Sequence, residues 1–517
     1  MPHFCVPSGV FFTRAYVLYR PLVGGKNGAN MANSGEKIDM LHASLRHLSE
    51  DVRFNFGPMR QDWGRVGGEK YNILLVQFCR TIRELAKSCC VRWYGGRYWL
   101  FTGRCYEDID VSVVEQSYQL LLEDLFIVPM LGKPSVRRDN FVSVIRQYNL
   151  LVPRRDLVAF SNGVVDFSSK SPVLMPFSET HHVVRERPYP YNPIASCPKW
   201  EAFLSEVLPD VSSREILQMY LGLGISGRLS NAPKLELCLL LVGSGSNGKS
   251  VIYDVMCGIF GSDMISKMDY ADLTAEGDEG MRGRFPIRDA IFNWSSDSDS
   301  RKFGRRNTGM FKRLVSGEAV PVRELGHNVS EVSTLPYLIF NFNELPFPED
   351  ASLGFIRRLQ YVSFDVVIPP SRQNPDLASE IIEEEASGVL NWLYSGVLKL
   401  RDRKYVFPRS AGSERQLLLS MLSGRPVACW VRAHGLSGDP RTDSESFEWV
   451  PTTELYVLFS SFCEANDIEC PTSNSFGRAM SGLRFAKRRM SGSYHYRVYG
   501  DVKSLSSPVV VSSFGVC

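Results

Sequence analysis

One short run of residues offers the clearest chemistry in this sequence. The pattern G-x-x-x-x-G-K-[ST] is spelled by Gly243, Ser244, Gly245, Ser246, Asn247, Gly248, Lys249 and Ser250. Glycines let such a loop wrap tightly, so that backbone N–H groups and a helix N-terminus converge on phosphate oxygens. The lysine reaches the β- and γ-phosphates and the serine hydroxyl joins the Mg²⁺ shell. We therefore predict a phosphate-binding loop for ATP and Mg²⁺, rather than a glycine-rich turn beside a surface lysine.

The segments on either side of this loop fit that prediction. The apolar stretch from Leu237 to Val242 is short and bounded, which is typical of a strand buried on both faces. After the loop, apolar residues recur at helical spacing from Val251 to Ile259. A strand, a glycine-rich loop and a helix in this order are the context that a nucleotide-binding loop requires.

Two further strands are predicted to end in polar residues. Ala290 to Trp294 leads into a Ser/Asp segment, in which Asp297 is the first candidate and Asp299 the second for the acid that holds Mg²⁺ and orients water. Pro336 to Phe340 leads into Asn343, with Asn341 as the alternative, and an amide there would contact the γ-phosphate. Read alone, either segment also fits an ordinary polar loop.

Paired arginines, Arg357 and Arg358, come just before a fourth apolar strand. A guanidinium there could stabilise a phosphoryl transition state in a neighbouring subunit, although a surface ion pair is the commoner explanation for Arg-Arg alone. Between the second and third strands we predict a short helix and then a hairpin whose tip lies near Gly326, His327 and Asn328.

The composition limits the class of protein. A chain of 517 residues predicts two to four domains, and a net charge of +3 requires any polyanion site to be a local patch. The 12 cysteines include no C-x-x-C pair, which indicates reduced thiols in a cytoplasmic setting. No apolar run is long enough to span a membrane.

The N-terminal part offers a second, weaker site. Asp108 and Asp110, with His181 and His182 downstream, could be metal ligands of a nucleotidyl transferase. We instead expect the two aspartates to stand at the start of a helix from Asp108 to Leu125, where acidic residues are favourable.

Taken together, these segments resemble the superfamily 3 helicases of phage, plasmid and poxvirus primase–helicase proteins. The matching text is FSNGVVDF, YPYNPIASCPKWEAFLSEV, LVGSGSNGKS, FNWSSDSD, FKRLVSGEAVPVRE, FNFNELPF and FIRRLQYVSF. The resemblance implies a ring-forming AAA+-like motor, expected to be a hexamer, that couples ATP hydrolysis to translocation on single-stranded DNA.

The resemblance also implies a role for each candidate residue. Lys249 and Ser250 would be Walker A, Asp297 the Walker B acid, Asn343 the sensor, and Arg357 or Arg358 the arginine finger. The hairpin with Arg323 and His327 would be the DNA-gripping pore loop. The family often has Glu at the Walker B position, so the resemblance does not decide which acid activates water in this protein. The residues before the motor resemble its collar, which predicts a helicase without primer synthesis.

The C-terminal part carries a local excess of cations. Two helical patterns after Phe447 are followed by a predicted two-stranded wing from Phe485 to Tyr499. Arg484, Lys487, Arg488 and Arg489 are the predicted DNA-binding residues, and Arg478 and Arg497 lie nearby with Tyr494 and Tyr496. This pattern resembles the family's winged-helix module and fits phosphate neutralisation, whereas a solvated basic surface is the alternative.

We predict an α/β protein with five parts: an irregular leader (1–35), a helical and β-rich collar domain (36–200), an AAA+-like P-loop ATPase domain (201–405), a linker (406–446) and a winged-helix DNA-binding domain (447–505). The predicted function is an ATP-dependent DNA helicase of a phage, plasmid or mobile-element replication system. Its partners would be single-stranded and forked DNA, further copies of the chain, and a separate primase or origin-binding protein, in the host cytoplasm. The alternative is a replication-initiator or regulatory DNA-binding ATPase that does not unwind DNA; a metabolic kinase would leave the basic tail unexplained.

Overall fold

The computed structural model describes residues 33–51, 69–125, 134–154, 156–168, 171–226, 235–304, 307–326, 328–346, 352–408, 410–439, 447–502, 505 and 509–511. The chain divides into two compact units, residues 1–191 and residues 192–517. Of the predicted leader, only Asn33 to Gly35 are described. They open the first helix, where Asn33 and Glu36 form a reciprocal capping box.

The first unit contains four described helices and two small sheets. The helices are α1 (Ser34–Ser49), α2 (Glu69–Ser88), α3 (Val111–Asp124) and α4 (Pro134–Tyr148). The strands are β1 (Val91–Tyr94), β2 (Arg97–Phe101), β3 (Tyr106–Ile109), β4 (Leu157–Phe160), β5 (Gly163–Asp166), β6 (Val173–Met175) and β7 (Glu186–Arg187). One sheet has the order β1-β2-β3 and the other β6-β5-β4-β7.

The two predicted hairpins of this unit are confirmed, but the helix predicted from Asp108 is wrong at its start. Asp108 lies in β3, a third strand that pairs with β2, and its carboxylate is 3.5 Å from Arg97. The helix begins at Val111, and Asp110 caps it by accepting a hydrogen bond from the Ser112 amide at 2.8 Å. The antiparallel pairing of β3 with β2 places the residues before Asp110 in the sheet, and this tertiary contact overrides the helical pattern there.

The second unit is built on a five-stranded parallel sheet. Its strands are β8 (Cys238–Val242), β9 (Ile265–Ser266), β10 (Phe292–Ser295), β13 (Tyr337–Phe342) and β14 (Leu359–Ser363), in the spatial order β14-β8-β13-β10-β9. Every residue of β8, β10 and β13 is buried, as expected for a parallel sheet covered on both faces. Between β10 and β13 the chain forms the antiparallel hairpin of β11 (Val320–Val322) and β12 (Ser330–Val332).

The helices of this unit precede, connect and follow the strands of the sheet along the chain. They are α5 (Pro198–Val207), α6 (Val211–Ser226), α7 (Lys249–Phe260), α8 (Tyr270–Thr274), α9 (Gly277–Gly283), α10 (Thr308–Ser316), α11 (Leu353–Ile356), α12 (Leu377–Asp402), α13 (Ala411–Gly424) and α14 (Pro426–Ala433). Glu385 of α12 is buried and accepts from the amides of Lys199 and Trp200 at 2.9 and 3.0 Å, which caps the N-terminus of α5.

The C-terminal residues form a helix–wing region, defined here as residues 447–502. Its elements are β15 (Phe447–Pro451), α15 (Thr452–Ala465), α16 (Ser473–Gly482), β16 (Lys487–Met490) and β17 (Ser493–Tyr499). The three strands form an antiparallel sheet of order β15-β17-β16. The predicted two-stranded wing is present, and β15 adds a strand that the sequence did not indicate.

Part of the predicted linker is folded. Helices α13 and α14 occupy residues 411–433, and Trp430 of α14 is fully buried against Phe459 and Phe476 of the helix–wing region. Residues 411–433 are thus helical within the stretch 406–446 that the sequence predicts as a linker, and their apolar side chains belong to the same core as those of α15 and α16. Residues 440–446 lie outside the described part of the chain.

Candidate nucleotide-binding site

The glycine-rich loop joins the central strand β8 to helix α7. Two of its glycines have left-handed backbone angles, with φ of +103° at Gly245 and +85° at Gly248. A Cβ atom at Gly248 would lie 2.8 Å from the ring of Phe203 and 2.9 Å from Val207, both on α5. Glycine is therefore required at 248 by its backbone conformation and by the helix that packs against it.

Lys249, the first residue of α7, is almost completely buried beneath this loop. Its ammonium group donates to the Gly243 carbonyl at 2.6 Å and to Asn247 Oδ1 at 3.1 Å. Burial lowers the pKa of the Lys249 ammonium group. No carboxylate among the described residues pairs with it, so the cation is available to an anion that enters the loop.

The loop has the donors that phosphate binding requires. Among the described residues, no acceptor is bound by the backbone N–H groups of Ser246, Asn247, Gly248, Lys249 and Ser250. The Ser250 side chain is exposed at the first turn of α7. Amides at a helix N-terminus, a buried ammonium group and a nearby hydroxyl group together fit a nucleoside triphosphate and its magnesium ion.

The two candidate acids follow β10 on the same edge of the sheet but have different surroundings. Asp297 is exposed, and within the described part of the chain no hydrogen bond or ion pair engages its carboxylate. Asp299 accepts from the amide and from Nε of Arg301, at 2.9 and 3.1 Å, and these bonds hold the pKa of its carboxyl group below the usual value. Asp297 is therefore the better placed of the two to bind a metal ion.

The two candidate asparagines separate more sharply. Asn341 lies inside β13 rather than after it, is buried, and accepts from Trp294 Nε1 at 3.0 Å. Asn343 follows the last residue of β13 and is exposed at the carboxyl end of that strand. Because β8, β10 and β13 are parallel neighbours, their carboxyl ends meet at one edge, so Asn343 and Asp297 share the edge of the glycine-rich loop.

Arg357 and Arg358 lie at the other edge of the sheet. They precede β14, whose first residue, Leu359, is opposite Cys238, the first residue of β8. A strand of five residues spans about 16 Å, so the backbone of the two arginines lies roughly that far from the glycine-rich loop of their own chain. The two arginines therefore precede the sheet at the edge opposite to the glycine-rich loop.

The two arginines are also held differently. The Arg358 side chain is only 10% exposed, and its Nη2 contacts Glu236 Oε2 at 2.9 Å and donates to Ser316 Oγ at 3.0 Å. The Arg357 side chain is 65% exposed and, within the described residues, donates to Glu236 Oε2 alone, at 3.0 Å. The sequence analysis did not identify Glu236, which lies just before β8. The signal that could have found it is an acidic residue before one strand of a parallel pair and arginines before the neighbouring strand, here β14.

The predicted DNA-contacting residues lie in two places. Arg323 directly follows β11, at the start of the loop of the β11–β12 hairpin, where its Nη1 donates to Asp278 Oδ1 at 2.7 Å and its amide donates to the Met281 carbonyl. His327 falls outside the described residues. At the tip, Leu325 is 80% exposed.

The four predicted DNA-binding residues of the helix–wing region, Arg484, Lys487, Arg488 and Arg489, are exposed. Lys487, Arg488 and Arg489 are consecutive on β16, and Lys487 Nζ lies 4.6 Å from the ring centre of Tyr494. Arg484 is in the turn before β16, with Asp439 as a distant ionic partner at 4.0 Å. Cations next to an exposed aromatic ring suit a nucleic-acid strand.

The alternative metal site in the first unit is not assembled. Asp108 and Asp110 are engaged with Arg97 and the Ser112 amide, respectively, and His181 and His182 lie in and after a short 3₁₀ segment of the chain. In the described ranges, no group of three or more His, Cys, Asp or Glu residues is arranged to hold a metal ion. Those ranges also contain no helix of the length and apolarity needed to cross a membrane.

Comparison with known protein families gives two matches, each to less than half of the chain. Residues 149–209 match the family described as D5 N terminal like, and residues 241–358 match a family of unknown function, DUF5906. The first match contains FSNGVVDF and the proline-rich segment, and supports a relationship to phage-type primase–helicase proteins at this coarse level. The second begins at the strand before the glycine-rich loop and ends at Arg358.

Comparison with curated protein sequences gives no match. Among solved structures, the apo structure of the NrS-1 C-terminal region (305-718) has a TM-score of 0.42 at 13% identity, covering 78% of this chain and 94% of that one. An A-form apo structure of the same region has a TM-score of 0.41 at 12% identity, covering 83% and 98%. Similarities this low carry no conclusion about the fold or the activity.

Proposed function

We propose that this protein is an ATP-dependent DNA helicase of superfamily 3 type, from a phage, plasmid or mobile-element replication system. It would act as a ring of identical subunits, in which ATP and Mg²⁺ bind between neighbours and hydrolysis moves a single strand of DNA. The match of residues 149–209 to the family described as D5 N terminal like supports a role in phage-type replication.

The chemistry of the carboxyl edge supports ATP as the substrate. Lys249 and the amides of the loop provide a positive cradle, Ser250 and Asp297 provide oxygen ligands for Mg²⁺, and Asn343 lies at the end of the strand between them. In this proposal Asp297 orients the attacking water, and Asn343 contacts the γ-phosphate.

The observation that carries the proposal is the position of Arg357. Among the described residues, no arginine directly follows the carboxyl end of β14, while Arg357 is exposed just before the first residue of that strand, at the opposite edge of the same sheet. In a head-to-tail ring, the opposite edge of one subunit faces the site of the next, and a guanidinium supplied in trans would complete the site. Hydrolysis would then depend on assembly.

The test combines three measurements on the purified protein. We expect ATP hydrolysis to rise when single-stranded DNA is added, a multimeric mass in the presence of nucleotide, and displacement of a labelled strand from a forked duplex. Lys249→Ala protein is the control, because it should lose all hydrolysis. Full-rate hydrolysis by an isolated subunit that ignores DNA would contradict the proposal.

One observation favours the alternative, a DNA-binding initiator ATPase without unwinding. Arg323, the predicted cation of the pore hairpin, is paired with Asp278, whereas the cations of the helix–wing region are exposed. An initiator of this kind would bind duplex origin DNA through the helix–wing region. It would show neither DNA-stimulated hydrolysis nor strand displacement, so the same experiment separates the two functions.

A further inference from the structure

We infer that Glu236 is a positioning residue for Arg357, and that it presents this arginine to the nucleotide site of the neighbouring subunit. The inference rests on the proposed function, since it assumes that Arg357 acts in trans. It concerns an acid that lies outside the glycine-rich loop and outside the group of residues expected to touch ATP.

Arg357 by itself is poorly fixed. Its side chain is 65% exposed, and within the described residues Glu236 is its only hydrogen-bonding partner. A free arginine side chain populates many rotamers, and this entropy opposes any single bound geometry. A group that must reach a transition state in another subunit therefore benefits from a contact that limits where it points.

Glu236 is fixed well enough to provide that contact. Its Oε1 accepts from Ser316 Oγ at 3.2 Å, and its Oε2 lies 2.9 Å from Nη2 of the buried Arg358. The same Arg358 nitrogen donates to Ser316 Oγ at 3.0 Å, so the three side chains form a closed network. Ser316 is the last residue of α10, which anchors the network to the helix that precedes the β11–β12 hairpin.

The charge balance leaves Arg357 attractive to an anion. One carboxylate faces two guanidinium groups, so the cluster has a net charge of about +1 by simple counting. A guanidinium has five N–H donors, and Arg357 uses one of them on Glu236. The remaining donors have no acceptor among the described residues, which suits a group that holds its position and still binds phosphate oxygen.

The test uses mixed rings, in which the two halves of a site come from different proteins. Lys249→Ala protein has a dead loop but an intact Arg357, and Arg357→Ala protein has the reverse. Mixing them should restore hydrolysis. Glu236→Gln placed in the Lys249→Ala chain should lower the restored rate roughly tenfold, because a small displacement of a catalytic group is costly. The same change in the Arg357→Ala chain should leave the rate unchanged.

Two further variants sharpen the result. Ser316→Ala should weaken the rescue only when it is in the Lys249→Ala chain, and less than Glu236→Gln does. Glu215→Gln, which removes an exposed pair with Lys399 at 3.6 Å, is the matched control and should have no effect in either chain.

The mixed-ring experiment has three kinds of outcome, and each one supports or overturns the role of Glu236. Loss of rescue confined to the chain that supplies Arg357 supports the positioning role. An equal loss in both chains, or no loss in either, overturns it while leaving the trans site intact. Failure of the two unmodified proteins to rescue one another overturns the proposed trans site, and the role of Glu236 with it.

Discussion

The indole Nε1 of Trp294 donates a hydrogen bond of 3.0 Å to Asn341 Oδ1, and both side chains are buried. This bond links adjacent strands, β10 and β13, just below the edge where Asp297 and Asn343 emerge. It shows that Asn341 supports the sheet, which leaves Asn343 as the asparagine at the candidate site.

The two asparagines should therefore respond differently to substitution. Asn341→Ala leaves the buried Trp294 N–H without its acceptor, so we expect a loss of about 1–3 kcal/mol in the free energy of unfolding. Asn343→Ala should leave stability unchanged and lower ATP turnover. Urea denaturation followed by tryptophan fluorescence, with ATPase assays on both proteins, separates them. Equal destabilisation by the two changes would contradict this distinction.

Lys249→Ala should abolish ATP hydrolysis without unfolding the protein. In the part of the chain that the structure describes, the lysine side chain bonds to Gly243 and Asn247 of its own loop and to no other residue, so its removal should disturb the loop and not the sheet. Circular dichroism and ATPase assays measure the two effects, and Lys399→Ala on α12 serves as the control. Retained turnover would mean that the loop does not bind the triphosphate.

Asp297→Asn should lower hydrolysis by about 100-fold or more while nucleotide still binds, because the charge that holds the metal and orients water is lost. Asp299→Asn should have a much smaller effect, since that carboxylate is engaged with Arg301. Turnover and fluorescent-nucleotide binding, measured side by side, test this. A larger loss of turnover in Asp299→Asn than in Asp297→Asn would make Asp299 the acid that activates water.

Arg357→Ala and Arg358→Ala should also differ. Because Arg357 is exposed, its removal should leave the stability of the protein unchanged. Because it is proposed to act on the neighbouring site, its removal should stop hydrolysis, and addition of Lys249→Ala protein should restore it. Arg358 is buried against Glu236 and Ser316, and its removal should cost about 1–3 kcal/mol of stability. Thermal melts and mixing assays give both readouts. Rescue of Arg358→Ala, but not of Arg357→Ala, would exchange their roles.

Neutralising Lys487, Arg488 and Arg489 together should weaken DNA binding and flatten its dependence on salt. All three are exposed on β16, and each phosphate contact contributes about 0.9 to the slope of log K against log salt for duplex DNA. Titrations at several salt concentrations measure the slope. Replacing Lys399, Arg401 and Arg403 of α12 and its end is the matched control, and an unchanged slope would exclude β16 from the DNA surface.

The sequence alone determined the order of the main elements around the loop. Strand β8, the loop from Gly243 and helix α7 follow from an apolar run, glycines and helical spacing, which are local signals. The predicted hairpin of β11 and β12 and the wing strands were likewise found, because turn residues and alternation are read within a few positions. The match of residues 149–209 agrees with the motifs noted there.

Only the tertiary structure decided which member of each residue pair is exposed. Asn341 and Asn343, or Arg357 and Arg358, are nearly equivalent in sequence. Asn341 is buried within β13 whereas Asn343 follows its last residue, and both arginines pair with Glu236 although Arg358 alone of the two is buried. Likewise, Trp430 is buried by helices that the sequence left as a linker, and Glu236 meets the arginines across 121 positions of chain. Local patterns fix which elements form, whereas contacts between distant elements fix which side chains remain free to act.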